Sequence, residues 1–308
     1  MDINKKKILA AKFSIISNIF LTALKIIAGI ISGSISVISE AIHSMSDFFA
    51  SIITFFSVMK SSQPADEDHP YGHGRYEDMS GFVEGFLIIL AALFIIYKSA
   101  KKIIIGAPPE SESILGIIVM SVAVIVNIFV SSYLFKVAKE SNSISLYADG
   151  EHLRTDVYSS FGVLLGLVLI KYTGHYMLDP IMAILVAVLI YKTGWVLFKR
   201  ALMNLLDHSL PEEDIEQIKN IISEFKGQVL LKENSIKARQ MGPTKDIDMI
   251  LQFPENTPIC VCHKICDEVE NKIQKIYINS SISIHSEPMC YKKNCMFFCT
   301  KECSLAKH

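Results

Sequence analysis

Cysteine, tryptophan and charge are all scarce in most of this 308-residue chain. The first 259 residues contain no cysteine, the whole chain has one tryptophan, and charged residues make up only 20%. Soluble domains carry about 25% charged residues and disordered chains carry more, so an ordinary soluble enzyme and a disordered protein are both disfavoured. The net charge of −1 also provides no general basic excess for binding nucleic acid.

Apolar sequence is abundant, with 51% hydrophobic residues and a mean hydropathy of +0.37. Six apolar stretches reach roughly the 20 residues that a helix needs to cross a bilayer. They run from Phe13 to Ile31, Ile35 to Met59, Gly81 to Tyr97, Ile114 to Phe135, Leu146 to Ile170 and Leu178 to Phe198. Charge is concentrated towards the C-terminus, because 28 of the 61 charged residues follow position 206. The sequence therefore predicts a six-helix membrane domain over 1–208, a polar domain over 209–288 and a cysteine-rich tail over 289–308.

The basic N-terminus followed by an apolar run imitates a signal peptide. The run is too long for one, contains Lys25 and lacks a small-x-small cleavage site, so we interpret it as the first span. With the N-terminus inside, ten Lys and Arg residues near the spans lie on the inner side and four on the outer side. An even number of spans then places the C-terminal domain in the cytoplasm, where its cysteines are expected to stay reduced.

Two hydrophobic stretches carry the same polar pattern, H-x-x-x-D. His43 and Asp47 lie in the second stretch, and His152 and Asp156 lie in the fifth. A spacing of four places both side chains on one helix face, about 6 Å apart along the axis. Ionisable groups inside a span cost several kcal/mol and mark functional positions. The alternative for either pair alone is an internal hydrogen bond that tightens helix packing.

Two imidazoles and two carboxylates supply the four ligands that Zn²⁺ prefers. The carboxylates offset the charge of a divalent ion, and without the ion they repel each other and tend to bind protons. Metal binding is therefore expected to expel protons, and protonation to expel metal, which is the chemistry of a metal/proton exchanger.

Other polar residues of the apolar stretches have two interpretations each. Glu40 and Asp149 precede the two histidines by three positions, so they either orient the imidazole rings or face water at the interface. Glu84 and Asn127 are lone polar groups explained by hydrogen bonds between helices. Lys25 is predicted to extend its ammonium group to the outer membrane surface.

The segment 63–77 is rich in proline and glycine and is predicted to be a loop. Asp66, His69 and His73 in it have the donor atoms of a second divalent-metal site. A solvated acidic loop is the alternative interpretation of the same composition.

These motifs together resemble those of the cation diffusion facilitator family of divalent-metal/proton antiporters, over nearly the whole chain to about Pro288. The resemblance is carried by Gly33-Ser34-x-Ser36, His43/Asp47, the stretch from Pro64-Ala65-Asp66 through His69 to Gly72-His73-Gly74, and His152/Asp156. It implies six helices, a homodimer, a cytoplasmic metallochaperone-like domain and no prosthetic group. It also implies a location in the plasma membrane.

The resemblance assigns roles residue by residue. Metal transport is assigned to His43, Asp47, His152 and Asp156, and a loop site is assigned to Asp66, His69 and His73. A histidine at the first position of the second-span pair goes with zinc in the family, and Cd²⁺, Co²⁺ and Fe²⁺ are the other candidate substrates.

The C-terminal region predicts a small α+β domain in the order α-β-β-α-β. The elements are a helix over 215–225, a strand from Val229 to Arg239, a strand from Ile247 to Phe253, a helix from Thr257-Pro258 to Ile276 and a strand from Ser281 to His285. Thr257 is expected to cap the second helix, with Pro258 in its first position.

By the family resemblance, His263, His285 and Glu287 match metal-binding positions of this domain, whereas Asn234 and Ile250 replace histidines found in relatives. A partial metal site and no site are both compatible with this pattern. Cys260, Cys262 and Cys266 either replace the lost ligands or fill apolar space. The tail contains Cys290, Cys295, Cys299 and Cys303, the last three of which would share one face of a helix and could then hold a soft metal. These cysteines lack the C-x-x-C spacing of a zinc finger.

The sequence thus predicts a homodimeric, non-enzymatic exporter of divalent cations that takes protons in return. A membrane-bound metal sensor or scaffold that binds without transporting is the alternative. A metalloenzyme is disfavoured, because no H-E-x-x-H motif occurs and four ligands would leave no open position on the metal.

Overall fold

The computed structural model describes residues 3–32, 35–105, 114–173, 178–277 and 279–289, which fold into two compact units. The first unit comprises the chain up to Leu206 together with Met241–Pro243, and the second comprises the described remainder from Asp207 onward. The predicted domain boundary at residue 208 lies two residues beyond this division. The four predicted tail cysteines, from Cys290 onward, lie outside the described residues.

The first unit is built from six long helices. They are α1 (Ile3–Ser32), α2 (Ile35–Ser61), α3 (Arg75–Ile105), α4 (Ile114–Ser141), α5 (Ile144–Thr173) and α6 (Leu178–Leu205). Each of the six predicted apolar stretches lies within one of these helices. At 1.5 Å per residue, the shortest helix, α2 with 27 residues, is about 40 Å long, which exceeds the thickness of the hydrocarbon core of a bilayer.

Three helical segments are long and apolar enough to span a membrane when the described residues are tested for length and hydropathy. They are Ile3–Ala28, Arg75–Ile105 and Ser121–Ser141. Membrane spanning by α2, α5 and α6 stays a prediction.

Helix α5 lies between two apolar clusters of the first unit. Leu146 and Leu153 pack with residues of α1, α2 and α4 in one cluster, whereas Ile144 and Ala148 pack with α3 and α6 in the other. The polar residues of the same helix segment are therefore enclosed from both sides. This enclosure brings the acidic and histidine side chains of α5 into the interior of the bundle.

Glycine allows α3 and α6 to approach each other closely. A Cβ atom added at Gly85 would lie 2.7 Å from the backbone nitrogen of Phe198, and one added at Gly194 would lie 2.8 Å from Ile88 Cγ2. Real Cβ atoms do not come so near to backbone atoms, so no larger residue fits at Gly85 without separating the helices. Small residues serve the same purpose in many membrane helix pairs.

A buried ion pair joins α1 to α3. Lys7 Nζ lies 2.5 Å from Glu77 Oε1, and the two side chains are 2% and 0% exposed. Ser61 of α2 donates a hydrogen bond to the same oxygen at 2.6 Å, and Ser143 donates to Glu77 Oε2. The carboxylate is therefore fully hydrogen-bonded, as a charge in an apolar interior requires.

Replacing Lys7 by methionine is expected to leave the Glu77 carboxylate buried without its counter-charge. Removing one partner of a buried ion pair costs about 3–5 kcal/mol. We therefore expect Lys7→Met to lower the thermal unfolding midpoint of the detergent-solubilised protein, followed by fluorescence of its single tryptophan, Trp195.

The neighbouring Lys6 provides the matched control, because it forms an exposed pair with Glu140 at 3.1 Å with side chains 40% and 41% exposed. Exposed pairs contribute about 0–1 kcal/mol. If Lys6→Met and Lys7→Met lower the unfolding midpoint equally, the buried ion pair contributes no more to stability than the exposed one.

The second unit consists of a small sheet covered by two helices. Its elements are α7 (Glu212–Ser223), β1 (Leu230–Leu231), β2 (Lys237–Met241), β3 (Thr244–Phe253), α8 (Ile259–Ile276) and β4 (Ser280–Pro288). The strand β3 is central, because β1 and β2 pair with it and β4 runs parallel to it. Alternate β3 residues from Ile247 to Phe253 are buried and form a core with α7 and α8.

The structure of the second unit corrects two predictions, one about a strand and one about a helix cap. The strand expected from Val229 to Arg239 is divided into β1 and β2, so the order is α-β-β-β-α-β. The division contains Asn234 at a φ of 54°, a left-handed conformation that a strand does not allow. The expected cap of α8 by Thr257 is also wrong, because Pro258 occupies the N-cap position and no side chain caps the helix.

Candidate metal centre

Two carboxylates and one imidazole meet between α2 and α5. Asp47 projects from α2, and His152 and Asp156 project from α5, with Asp47 and His152 only 5% and 8% exposed. His152 Nε2 lies 3.1 Å from Asp47 Oδ1. The ligating atoms of the three residues all lie within 4.8 Å of one another. We refer to Asp47, His152 and Asp156 as the helix cluster.

His43 is the fourth residue that the sequence assigns to this site. It belongs to α2 and precedes Asp47 by four positions, but its side chain lies outside the described part of the structure. Side chains four apart share a helix face. The participation of His43 therefore stays a prediction that the course of α2 permits.

The donor atoms of the helix cluster suit a divalent cation of intermediate softness. Nitrogen and carboxylate oxygen are ligands of Zn²⁺, Fe²⁺ and Co²⁺, and two carboxylates balance a charge of +2. His152 Nδ1 is buried and has no hydrogen-bond partner. The imidazole is thus held through Nε2 alone, and Asp149 does not orient it through a hydrogen bond, contrary to one of the two predictions for Asp149.

The polar residues around the helix cluster differ from expectation in three ways. Lys25 donates a hydrogen bond from Nζ to Ser44 Oγ of α2 at 2.7 Å, where the sequence predicted an extension to the membrane surface. Asn127 has a buried side-chain oxygen without a partner. Asp149 is 1% exposed, which excludes the interfacial position considered for it.

Glu84 was predicted to make a hydrogen bond between helices, and it accepts one from Thr54 of α2. Its other oxygen, Oε2, is buried without a partner. Sequence reasoning missed that Glu84 and Asp149 are both fully enclosed in the bundle, with carboxylate oxygens that have no hydrogen-bond partner. The available signal was an acidic residue inside an apolar stretch with no basic residue at helical spacing.

The loop between α2 and α3 gathers Asp66, His69 and His73, whose ligating atoms also lie within 4.8 Å of one another. His69 Nδ1 lies 3.1 Å from Asp66 Oδ1, and His73 Nε2 lies 3.2 Å from Asp66 Oδ2. The turn that permits this passes through Gly72 at a φ of 85°. We refer to these three residues as the loop cluster.

The loop cluster is prepared for a positively charged ligand. His73 is 2% exposed, and its Nδ1 is engaged by the carbonyl oxygen of Pro64 at 3.1 Å. Its Nε2 faces Asp66 without a well-formed hydrogen bond and is free to bind a metal. Desolvation opposes ionisation of Asp66, but hydrogen bonds from the backbone and ring of His69 lower the pKa of Asp66 below its ordinary value. The carboxylate is therefore ionised at neutral pH.

Substituting Asp66 by asparagine is expected to abolish zinc binding to the loop cluster, because the only carboxylate of the cluster is lost. Equilibrium dialysis of Zn²⁺ against the full-length protein in detergent should show about one ion fewer per chain. Asp68→Asn is the matched control, since Asp68 is an exposed neighbour outside the cluster. If both variants lose the same amount of bound zinc, the loop binds zinc through its overall acidic charge and not through the loop cluster.

The C-terminal positions predicted from the resemblance do not form a comparable group. Among the described residues, His263, His285 and Glu287 make no set of three ligating atoms within 4.8 Å. The His263 side chain is 78% exposed and lies 3.6 Å from Asp267. The carboxylate of Glu287 accepts hydrogen bonds from Lys232 at 2.9 and 3.0 Å. Lys232 thereby lowers the pKa of Glu287 and occupies the oxygens that a metal would use.

The three described cysteines are free thiols in different environments. Cys260 is exposed, Cys262 belongs to the hydrophobic core and Cys266 is half-buried, 3.5 Å from Ser286 Oγ. Burial raises the pKa of the Cys266 thiol, which disfavours the thiolate that binds metals. Core packing accounts for Cys262, and neither Cys262 nor Cys266 forms part of a ligand group in the described chain.

A helical membrane unit with a buried carboxylate–imidazole cluster, followed by a small α+β domain, defines the class of membrane cation transporters. A family model of the cation efflux transmembrane domain matches residues 11–206, and a model of the cation efflux protein cytoplasmic domain matches residues 210–289. The chain belongs to the cation efflux family, the cation diffusion facilitators, which confirms the resemblance seen in its motifs.

Similar proteins extend over most of the chain. An uncharacterized transporter of Synechocystis sp., sll1263, is 31% identical over 266 residues, which cover 86% of this chain and 85% of the relative. The cation-efflux pump FieF of Escherichia coli is 30% identical over 268 residues, covering 87% and 88%. FieF of Escherichia fergusonii is 29% identical with the same coverage. The protein is accordingly an integral membrane transporter for divalent metal efflux.

Proposed function

We propose that the protein exports Zn²⁺ from the cytoplasm in exchange for protons, through a site formed by His43, Asp47, His152 and Asp156. The observation that carries the proposal is the helix cluster, in which ligand atoms from two helices converge within 4.8 Å in the interior of the bundle. Cd²⁺, Co²⁺ and Fe²⁺ are alternative substrates, because nitrogen and oxygen ligands do not by themselves rank these ions. The relation to cation-efflux pumps supports the same assignment.

The exchange follows from the charge of the helix cluster. A bound divalent ion is neutralised by two carboxylates, whereas an empty site leaves them close together in a medium of low dielectric constant. Protons that enter the empty site relieve this repulsion and weaken metal rebinding. Release of the metal therefore favours proton binding, and release of the protons favours metal binding.

Metal export against the membrane potential requires this coupling. An inside-negative potential opposes the exit of positive charge by about 2.3 kcal/mol per charge per 100 mV, so proton entry drives the cycle. In our proposal all six helices of the first unit span the plasma membrane, with both termini in the cytoplasm. Rocking of the helices exposes the central site to each side in turn.

The C-terminal domain, residues 209–288, is proposed to hold two chains together as a homodimer. The family that matches residues 210–289 is named ZT_dimer, which supports this role. The loop cluster is proposed as a second zinc site near the cytoplasmic face. Metal binding by His263, His285 and Glu287 would require Glu287 to leave Lys232 and is proposed only as a response to high metal concentration.

The Asp156→Ala variant is expected to abolish zinc uptake into inside-out vesicles driven by a proton gradient, because one of the charge-balancing ligands is lost. Flux is measured with a zinc-sensitive dye, and folding is checked by thermal unfolding in detergent. Glu140→Gln, which removes a carboxylate outside the cluster, should transport at the wild-type rate. Wild-type flux in a folded Asp156→Ala protein would defeat the assignment.

The same vesicles separate a transporter from a metal sensor or scaffold. A sensor binds zinc without flux in the wild-type protein. The proposed exporter moves zinc into the lumen of inside-out vesicles and protons out of it, so the lumen becomes more alkaline. A panel of Zn²⁺, Cd²⁺, Co²⁺ and Fe²⁺ at equal free concentration ranks the substrates. We expect Zn²⁺ to give the highest initial rate.

A further inference from the structure

Lys25 brings a positive charge into the first unit at a position that the proposed function does not yet use. It belongs to α1, within the segment Ile3–Ala28 that is long and apolar enough to span a membrane. Its side chain is half-buried, and its Nζ atom donates a hydrogen bond to Ser44 Oγ of α2 at 2.7 Å. Ionised groups inside a membrane span are costly and mark functional positions. The charge of Lys25 is therefore expected to have a function.

The contact with Ser44 fixes where this charge lies. Thr22, three residues before Lys25 on α1, donates a second hydrogen bond to the main-chain carbonyl oxygen of Ser44 at 3.1 Å. Ser44 is 5% exposed, so both contacts lie inside the bundle. Helix α1 thus holds one residue of α2 through both its side chain and its backbone, and the ammonium group of Lys25 is kept at that point of α2.

Ser44 is a neighbour of the helix cluster on α2. It follows His43 directly and precedes Asp47 by three residues. Residues three apart are neighbours on a helix surface, with Cβ atoms about 5–6 Å apart. The ammonium group that contacts Ser44 therefore lies about one helical turn from Asp47, within roughly 10 Å of a cation bound by the helix cluster.

A positive charge at this distance repels a divalent cation in the helix cluster. Charges in the interior of low dielectric constant interact more strongly than charges in water, and salt screens them much less. Lys25 has further contacts, but replacing it with a neutral residue removes one positive charge from this region whichever groups share those contacts. The direction of the effect on metal binding therefore follows from the position of the charge alone.

From these contacts we infer that Lys25 is a fixed positive charge that weakens metal binding at the helix cluster, so that the ion can be released. Carboxylates and imidazole in an apolar interior hold Zn²⁺ tightly, whereas a transport site must bind its ion weakly enough for the ion to leave. The hydrogen bond to Ser44 places the ammonium group beside the ligands instead of at the membrane surface. The inference rests on the proposed function, since weaker binding is useful only where the ion moves on.

The binding test compares Lys25→Met with the parent protein, both full-length and both carrying Asp66→Asn so that the loop cluster is disabled. Equilibrium dialysis against Zn²⁺ in detergent is expected to show about tenfold tighter binding in Lys25→Met, because one opposing charge is removed. Lys25→Arg keeps the charge and is expected to bind zinc within about twofold of the parent. Unchanged or weaker binding in Lys25→Met, or an equal gain in Lys25→Arg, would overturn the inference.

Two matched variants separate the charge of Lys25 from helix packing. Thr22→Val removes the other hydrogen bond to Ser44 and leaves the charge in place, so the zinc affinity should be unchanged. Lys6→Met makes the same substitution 19 residues earlier on α1, about 28 Å away along the helix axis, and should also leave the affinity unchanged. A gain in either control equal to that in Lys25→Met would contradict the role of the charge. If Lys25→Met does not fold, the neutral Lys25→Gln gives the same reading.

Flux into inside-out vesicles gives a second reading in the protein with intact clusters. Lys25→Met is expected to lower the apparent KM for zinc and the maximal rate together, each about tenfold, because the ion binds more tightly and leaves more slowly. A merely structural role of Lys25 would lower the rate without lowering KM, and that result would overturn the role in release. Absence of flux in the wild type would instead defeat the proposed function, and dialysis would still decide whether Lys25 weakens zinc binding.

Discussion

Negative charge enclosed in an apolar helix bundle is the constraint on which this structure depends. The packing of α5 between two apolar clusters leaves its polar residues no route to water, so each carboxylate must find a positive partner inside. The structure meets this demand with two ion pairs, because Lys7 lies against Glu77 and His152 lies against Asp47. Glu84 and Asp149, by contrast, keep buried carboxylate oxygens without a hydrogen-bond partner.

Local patterns in the sequence predicted the helices and the faces of their functional residues. The six apolar stretches and the four-residue spacing in α2 and α5 depend on neighbours in the chain, so they were visible before folding. The loop cluster was predictable for the same reason, because Asp66 and His73 are only seven residues apart. No local rule brings α2 against α5, so the convergence of Asp47 with His152 was inferred from the repeated H-x-x-x-D pattern and from the four ligands that Zn²⁺ prefers.

The features that escaped prediction depend on how elements rotate and pack. From the sequence, Lys7 was counted among several basic residues at the inner membrane surface. In the structure it is buried, because it forms an ion pair with Glu77 of α3. Glu84 and Asp149 are buried because α3 and α5 turn these residues towards the interior of the bundle. In the C-terminal domain, Lys232 meets Glu287 across the fold and competes with the metal role that the resemblance implied.

The close approach of α3 and α6 at Gly85 and Gly194 has a mechanical consequence. A helix whose backbone fits against a neighbour with no Cβ between them cannot slide past it by one residue without steric overlap. We therefore expect α3 and α6 to move as one rigid body during transport. The relative motion of helices then takes place at the other contacts of the bundle, where side chains rather than backbone atoms meet.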